Sequence, residues 1–350
     1  MVIHPPTPSA AMSASNPLHV VPLPAGRLRR LGGVAAALTA VLIWSVYFLS
    51  LRQGALSPLG RLDLTLFRYS VPGLLLLPLL VRRRAAIRRV HPLWLAGMVF
   101  GAGIPFFLLG VVGMAWAPVA QGSTLIPGTA PLFVTGIAVA VFGQPLGRWR
   151  RWGLATILVG VVGLLWSGWR ESAALGLGQL MFLWASLMWA IFTLSVRQSG
   201  LSPLEATAVV TVPNGLAAGL YLLAGLGETT LPGLPVAAWL PQLVVQGLLV
   251  GLGSGLMVGL AVRGLGAEAA SALGSLTPVC ATLLAWGWLD ETVTPATLMG
   301  LALVTLGVVA ASGWPERATE PRRDQARRAA ASRMAMEGRG ERPESGSILR

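Results

Sequence analysis

Residues 44–58 read WSVYFLSLRQGALSP, and residues 189–203 read WAIFTLSVRQSGLSP. The two stretches align without a gap at an offset of 145 residues and agree at eight of fifteen positions, among them a Trp, an Arg-Gln pair and a Ser-Pro pair. Matches that include a rare residue and keep one register are not expected by chance. Self-similarity at so long an offset indicates a duplicated half-protein rather than a short solenoid repeat.

The composition indicates that most of the chain lies in lipid. Hydrophobic residues make up 54% of the sequence, charged residues make up 11%, and the mean hydropathy is +0.70. A soluble domain carries about 25% charge, so this chain cannot cover itself with a water-facing shell. A single cysteine excludes an intrachain disulfide, and neither HExxH nor CxxC occurs, so the sequence predicts no metal site and no cofactor.

Ten apolar segments approach the length of about 20 residues that a membrane-spanning helix needs. They cover residues 32–51, 64–81, 93–115, 119–142, 152–169, 176–196, 206–226, 243–262, 269–289 and 295–313. The chain before them, residues 1–30, is rich in Pro, Ser and Ala and lacks the features of a cleavable signal peptide. We expect it to be a disordered tail, and we expect the Arg-rich residues 314–350 at the other end to be either disordered or a loose surface helix.

The distribution of arginine predicts that both termini are cytoplasmic in a bacterial inner membrane. All 26 basic residues are Arg. With the N-terminus inside, the inner loops and their flanks hold thirteen of them, and the outer loops hold only Arg52, Arg61 and Arg170, as the positive-inside rule requires. Ten spans place the C-terminus, with nine more arginines, on the same side. This placement of the net charge of +13 favours lipid headgroups over nucleic acid as a partner.

The duplication continues through both halves and predicts an all-α integral membrane protein of ten transmembrane helices in two inverted five-helix repeats, residues 31–169 and 175–313. At an offset of 147 the matched pairs are Gln121 and Glu268, Pro131 and Pro278, Gln144 and Glu291, Gly153 and Gly300, and Gly160 and Gly307. Because five is odd, the second half must be inserted upside down relative to the first. Inverted repeats are a transporter architecture in which the substrate site lies near the midplane.

The order of these features resembles the drug/metabolite transporter superfamily, and within it the EamA-type family. Each half opens with a Trp-containing helix. Each closes on a Pro, an acidic or amide position and a Gly-bearing helix, as in PLFVTGIAVAVFGQPLGRWRRWGLATILVGVVG from Pro131 and PVCATLLAWGWLDETVTPATLMGLALVTLGVV from Pro278. Arg68 stands where this family usually has an arginine, whereas Gln144 replaces an acid. The resemblance implies a secondary transporter, often an exporter, of a small metabolite, amino acid or drug.

Three of the six candidate substrate-binding residues are charged or carry an amide. Glu268 opens the ninth span, where it could bind a cationic group or take up a coupling proton, or cap the helix; its repeat mate Gln121 is uncharged. Arg68 could attract a carboxylate or phosphate, or it could snorkel to the interface or pair with Asp63. Glu291, in contrast, is interpreted as a residue of a solvated loop.

The other three candidates are the aromatic residues Trp44, Tyr47 and Trp189 in the first helix of each half. Inversion is expected to place Trp44 toward the outside and Trp189 toward the inside. Each could line one end of a single pathway and stack on a substrate. Interfacial anchoring and packing are the common alternatives for such residues.

Proline and glycine patterns predict a hinge and a packing face. Pro131 and Pro278 fall at the centres of the fourth and ninth spans, where each frees a helix carbonyl and could form a hinge or cavity wall. The spacing of four residues aligns one face of the eighth span for close helix packing. The residues of that face are Gly247, Gly251, Gly255 and Gly259. The amides of Asn214 and Gln246 could bond across helices or to substrate.

Two other classes of function compete with a carrier. An intramembrane enzyme needs a catalytic acid or base, but no His lies in any predicted span and no Asp lies near a span centre. A channel needs a continuous polar lining, which these spans do not offer, and a scaffold needs no pathway at all. With no Walker motif in the chain, we expect neither an enzyme nor an ATP-driven pump.

Overall fold

The computed structural model describes residues 27–143 and 146–312, which form a helical bundle without any β-strand. The helices are α1 (Arg27–Leu56), α2 (Arg61–Arg82), α3 (Arg84–Ile87), α4 (Pro92–Gly101), α5 (Ile104–Trp116), α6 (Val119–Phe142), α7 (Arg148–Glu171), α8 (Ala173–Ser199), α9 (Pro203–Leu223), α10 (Val236–Gln242), α11 (Ser254–Leu265), α12 (Ala267–Gly274), α13 (Thr277–Leu289) and α14 (Pro295–Ala311). A 3₁₀ turn, Leu231–Gly233, precedes α10, and a π-helical segment, Leu243–Gly253, joins α10 to α11.

Nine helical stretches of the described chain are long and apolar enough to cross a membrane, and they overlap the first nine predicted segments. The third, Pro92–Trp116, contains α4 and α5, and the ninth, Ala269–Leu289, contains most of α12 and all of α13. At the tenth segment, α14 has 17 residues, or about 26 Å of helix, slightly short of a hydrocarbon core about 30 Å thick. A count of ten spans therefore stays a prediction.

The two predicted tails lie almost wholly outside the described residues. At the N-terminal end the exception is residues 27–30, which form the first turn of α1 rather than part of a disordered tail. The predicted C-terminal tail, residues 314–350, falls entirely outside, as does Gln144.

Corresponding helices of the two halves pack against each other in opposite directions. On α2 and α9, a carbon added at Gly73 would lie 2.9 Å from the carbonyl oxygen of Thr211, and one added at Gly215 would lie 2.8 Å from that of Tyr69. Residue numbers therefore rise along one helix as they fall along the other. Glycine permits this approach because it has no side chain to keep the backbones apart.

The glycines that match in the sequence repeat also meet in space. Gly153 of α7 lies against Gly307 of α14, where an added carbon would be 2.7 Å from the carbonyl oxygen. Gly160 lies against Gly300 in the same way, at 3.3 Å. Gly153 thus contacts the repeat mate of Gly160, and Gly160 contacts the repeat mate of Gly153. This crosswise pairing is the pattern that a pseudo-twofold axis between antiparallel helices produces.

The third span is broken between α4 and α5. Polar side chains of other helices form hydrogen bonds with the backbone groups that the break leaves without a partner in the helix. The amide of Asn214 on α9 donates to the Val99 carbonyl at 3.0 Å and accepts from the Ile104 N–H at 2.9 Å. The Tyr69 hydroxyl donates to the Ala102 carbonyl at 2.9 Å. A backbone break is tolerated at membrane depth only with such partners, so Asn214 has a structural role in this bundle.

The corresponding part of the eighth span is irregular as well, since the π-helical segment overlaps the break in the third span at the repeat offset of 147. Two amides of this region bind α1. The Ser50 hydroxyl donates to Gln242 Oε1 at 2.7 Å, and Gln246 Nε2 donates to the Ser50 hydroxyl at 3.1 Å. Irregular turns of this kind are frequent at functional sites, and here both halves carry one at matching positions of the sequence repeat.

The glycine face of the eighth span packs over only part of its length. Carbons added at Gly247 and Gly251 would lie 2.9 and 2.8 Å from atoms of α2, so these two glycines permit a close helix contact. An added carbon at Gly255 would be 3.7 Å from its neighbour, and one at Gly259 would have nothing within 4 Å. The packing predicted for Gly259 is wrong, because α11 packs mainly against α1 rather than α2.

Candidate functional site

A cavity of about 640 Å³ lies between the two halves of the bundle. Its wall is built from α1, α5, α6 and α7 of the first half and from α8 and α11 to α14 of the second. It extends from Tyr47 and Phe48 to Ala311 and Ser312 at the end of α14. We call the end of the bundle at which α1 begins the inner end, and the opposite end the outer end. The cavity reaches the inner end.

The two tryptophans of the sequence repeat meet in the wall of this cavity. The ring centroids of Trp44 and Trp189 are 5.7 Å apart and the rings are nearly perpendicular, at 78°. The prediction that they occupy opposite ends of a pathway is wrong. Each lies near the middle of its helix, so inversion brings the two residues to the same depth. Contact between repeat mates also means that the pseudo-twofold axis passes between them.

Further aromatic rings extend this pair into a cluster. The Tyr47 ring lies 5.5 Å from that of Trp44, and the rings of Phe106 and Phe192 lie 5.4 and 4.9 Å from that of Trp189. Phe192 is the repeat mate of Tyr47. Such faces can stack on apolar, aromatic or cationic groups of a ligand. The sequence analysis missed Phe106 because a Phe in an apolar run gives no sign of which face it occupies.

Polar groups in the cavity wall are few and mostly hydroxyls. The residues that supply them are Thr193, Ser271, Ser275, Thr277, Thr305 and Ser312. Of the lining side chains that the structure describes, only Arg150 is charged; its guanidinium donates to the Thr135 hydroxyl at 2.8 Å near the inner end. A largely apolar wall with scattered hydroxyls suits a ligand with an apolar body and few hydrogen-bonding groups.

The predicted hinge prolines both line the cavity but occupy different local structures. Pro131 lies inside the continuous helix α6. Pro278 lies at the centre of the ninth span, Ala269–Leu289, as predicted. It is the second residue of α13, just after the chain breaks between α12 and α13. Proline cannot donate to the carbonyl four residues earlier. In this region the Ser45 hydroxyl of α1 lies 3.2 Å from the Thr277 carbonyl oxygen.

Arg68 is buried behind the aromatic wall rather than exposed in the cavity. It is 7% exposed, its guanidinium lies 5.8 and 5.7 Å from the ring centroids of Tyr47 and Tyr69, and Nη1 is 3.5 Å from the Gln246 carbonyl oxygen. The alternatives of snorkelling and of pairing with Asp63 are both wrong, since Asp63 accepts hydrogen bonds from the loop between α9 and α10. Tyr47 separates Arg68 from the cavity.

The candidate amide Gln121 and the candidate acid Glu268 lie at opposite ends of the bundle. Gln121 lines a second, polar cavity of about 410 Å³ at the outer end, and its side-chain oxygen accepts from Gln179 at 2.9 Å. Glu268 belongs to α12, two residues before a residue of the main cavity wall. Its side chain lies outside what the structure describes. The structure therefore does not bring Gln121 together with the aromatic cluster.

An ion pair lies beyond the outer end of the main cavity. Arg52 Nε donates to Glu291 Oε1 at 2.8 Å, and the other carboxylate oxygen accepts from the Val119 N–H at 2.8 Å. Arg52 also donates to the Met114 carbonyl. The two charged side chains are only 18% and 12% exposed, so the interpretation of Glu291 as a solvated loop residue is wrong. Each residue belongs to a repeated motif, and the two residues are 239 positions apart in the sequence.

A family model described as the EamA-like transporter family matches the chain twice, over residues 31–166 and 176–313. The chain belongs to the EamA-like transporter family. The resemblance read from the sequence is thus confirmed, and the two matches lie within the two predicted repeats. An EamA-like chain with nine apolar helices in its described part is a multi-pass membrane protein of a transporter family, and that family implies a small-molecule substrate rather than an enzymatic reaction.

Other comparisons concern the fold of this EamA-like chain. No curated protein sequence is significantly similar to it. A solved structure, described only as "Crystal structure of protein", superposes with a TM-score of 0.53 at 19% identity, covering 81% of this chain and 97% of the solved one. An identity this low shows a shared fold alone.

Proposed function

We propose that this EamA-like chain is a secondary transporter that exports a small amphipathic or neutral metabolite. Transport takes place by alternating access between two inverted five-helix halves. The observation that supports this most is the contact of Trp44 with Trp189 in the wall of a cavity built from both halves. A cavity on the axis between inverted repeats can open to one side as it closes to the other when the halves rock.

The main cavity is open at one end of the bundle and closed at the other, which favours one conformational state of the transport cycle. The main cavity reaches the inner end of the bundle, while the pair of Arg52 and Glu291 lies beyond its outer end. If the inner end is cytoplasmic, as the arginine distribution predicts, the structure corresponds to an inward-open state that accepts substrate from the cytoplasm. This proposal includes α14 as the tenth span, both termini on the cytoplasmic side, and an inner bacterial membrane.

The volume and lining of the main cavity indicate which chemical class of substrate it could hold. A volume of about 640 Å³ lies within the range of about 300–1,000 Å³ for small-molecule sites. Small aliphatic side chains and aromatic rings make up most of the described lining, with scattered hydroxyls among them, and Arg150 supplies one positive charge near the inner end. An amino acid or drug with an aromatic or aliphatic body fits this wall better than a polyanion. Glu268, next to the cavity in α12, is our candidate for proton coupling.

Transport by purified protein in liposomes tests the proposal, with labelled amino acids, nucleobases and amphipathic drugs as candidate substrates. We expect Trp189→Ala to lower the initial rate at least about tenfold, the effect of roughly 1.4 kcal/mol of lost substrate binding. Trp184→Ala is the matched control, since Trp184 lies on the same helix but is 57% exposed and outside the cavity lining. Folded protein that moves no candidate under any ion gradient contradicts the carrier, and unitary currents in bilayer recordings indicate a channel.

A further inference from the structure

We propose that Arg52 and Glu291 form the outer gate of the transport pathway, and that the polar cavity of about 410 Å³ beyond them is the vestibule into which substrate is released. The inference rests on the transport function proposed above. It assigns a role to two residues and one cavity that the repeat analysis alone did not connect.

The two cavities lie in line and are separated by a thin layer of protein. On α1, Phe48 lines the main cavity and Arg52 lines the outer one; four residues of helix span about 6 Å. On α6, the main cavity ends at Ile126 and the outer cavity includes Gln121, which is about 7.5 Å along the helix. A substrate in the main cavity would have to cross only this layer to reach the outer cavity.

The ion pair holds together the elements that meet in this layer. Arg52 is near the end of α1 and contacts the end of α5, while Glu291 follows α13 and binds the first N–H of α6. These contacts join the first half of the protein to the second. Charge-assisted hydrogen bonds of this length are the strong ones, and both side chains are largely buried. Opening the outer end requires that they break.

The sequence repeat shows that the inner end lacks the same ion pair. The repeat mate of Arg52 is Arg197, and the mate of Glu291 is Gln144, which carries no charge. Arg197 is exposed and forms no ion pair with any acid whose side chain the structure describes, a set that leaves out Glu268. Among the side chains that the structure describes, an ionic contact between these repeat motifs therefore stabilises closure of the outer end and not of the inner end. At rest this favours the state in which the main cavity faces the inner end.

The two cavities differ in chemistry in the way that entry and release sites should. The wall of the main cavity is largely apolar and aromatic, whereas the outer cavity is mainly polar. Its lining includes Arg52, Gln121, Glu171, Ser172, Asp290, Glu291, Thr292, Thr294 and Thr297. An amphipathic substrate loses its apolar contacts when it passes the gate, so the outer cavity holds it weakly and releases it.

Thiol labelling tests the gate without any substrate. A single cysteine replaces Thr193 in the main cavity wall, and the native Cys280 is changed to Ser. A membrane-impermeant maleimide is then applied to each face of the membrane separately. In this parent protein we expect labelling from the inner face. Arg52→Gln and Glu291→Gln should raise labelling from the outer face about tenfold, because either change removes the ion pair that favours closure.

Two further variants complete the test. Arg61→Gln is the control, because Arg61 is exposed at the same end and lies outside both cavity linings; it should leave labelling unchanged. Gln144→Glu restores the acid at the inner end and should lower labelling from the inner face. If Arg52→Gln does not fold, Arg52→Lys keeps the charge but not the fixed fork of donors, and should give a smaller rise.

The outcomes separate the gate from the transport function. Folded Arg52→Gln and Glu291→Gln proteins that label from the outer face no faster than Arg61→Gln overturn the gate, whatever the liposome assay shows. Inner-face labelling that Gln144→Glu leaves unaltered overturns the asymmetry between the two ends. A rise in outer-face labelling supports the gate, and the carrier function then stands or falls on the transport measurement alone.

Discussion

Replacing Asn214 by Leu tests whether one side chain stabilises the broken third span. Leu has the same four-atom branched side-chain skeleton as Asn but no polar group, so the variant keeps the shape of the side chain and removes the hydrogen bonds. Asn214 is 5% exposed and bonds to the Val99 carbonyl and the Ile104 N–H, both on the broken span. In Asn214→Leu these two part-buried backbone groups lose their partner from α9.

The magnitude follows from those two groups. A buried polar group left without a partner costs about 1–3 kcal/mol, whereas interhelical hydrogen bonds measured in a membrane protein average only about 0.6 kcal/mol. Two lost bonds therefore bracket the loss of unfolding free energy between about 1 and 6 kcal/mol. We expect a value near 3 kcal/mol, since a chain break offers these groups no other partner within the helix.

Unfolding by sodium dodecyl sulfate in mixed micelles, followed by tryptophan fluorescence, measures this loss. The control is Thr207→Val on the same helix, because the Thr207 hydroxyl bonds only to a carbonyl of its own helix; it should cost less than about 0.5 kcal/mol. Hydrogen exchange at the Ile104 amide should be faster in Asn214→Leu. Equal stabilities of the two variants, with unchanged exchange at Ile104, would refute this account of the break.

Three further predictions concern packing, coupling and a buried hydroxyl. Gly153→Leu should destabilise the protein by about 3 kcal/mol or more, because an added carbon meets the α14 backbone at 2.4 Å, whereas Gly163→Leu on the same helix meets nothing within 4 Å; thermal unfolding in detergent compares them. Glu268→Gln should abolish the pH dependence of transport in liposomes if Glu268 carries the coupling proton, and an unaltered pH profile removes it from the mechanism. Tyr69→Phe should cost about 1–2 kcal/mol of unfolding free energy, because the Ala102 carbonyl loses its donor; a cost no greater than that of Tyr221→Phe, at an exposed position, would contradict this.

The spans and the family could be predicted from local sequence because both depend on properties that accumulate along the chain. Hydropathy over about 20 residues identifies a spanning segment whatever its neighbours are. The repeated Trp, Pro and Gly positions keep their order and spacing in both halves, which is the information a family model uses. The first nine segments and the EamA resemblance therefore agree with the structure and the comparisons.

The site residues were harder to place because their roles depend on depth and direction in three dimensions. Trp44 and Trp189 are near the middles of their helices, so a prediction of opposite ends failed once the inversion axis was found to pass between them. Glu291 follows a helix and reads as a loop residue, yet a partner from α1 buries it. Arg68 and Asp63 share a helix but bind different neighbours.

The sequence by itself determined that this chain is a duplicated bundle of apolar helices with its arginines mainly on one side, because lipid selects for hydropathy and length, and duplication preserves register. Only the tertiary structure decided which faces meet. It brought the repeat-related tryptophans together around one cavity, put Asn214 into a break on another helix, and paired Arg52 with Glu291 across 239 residues. Such contacts join distant segments, and no local pattern records which polar group will lie opposite another.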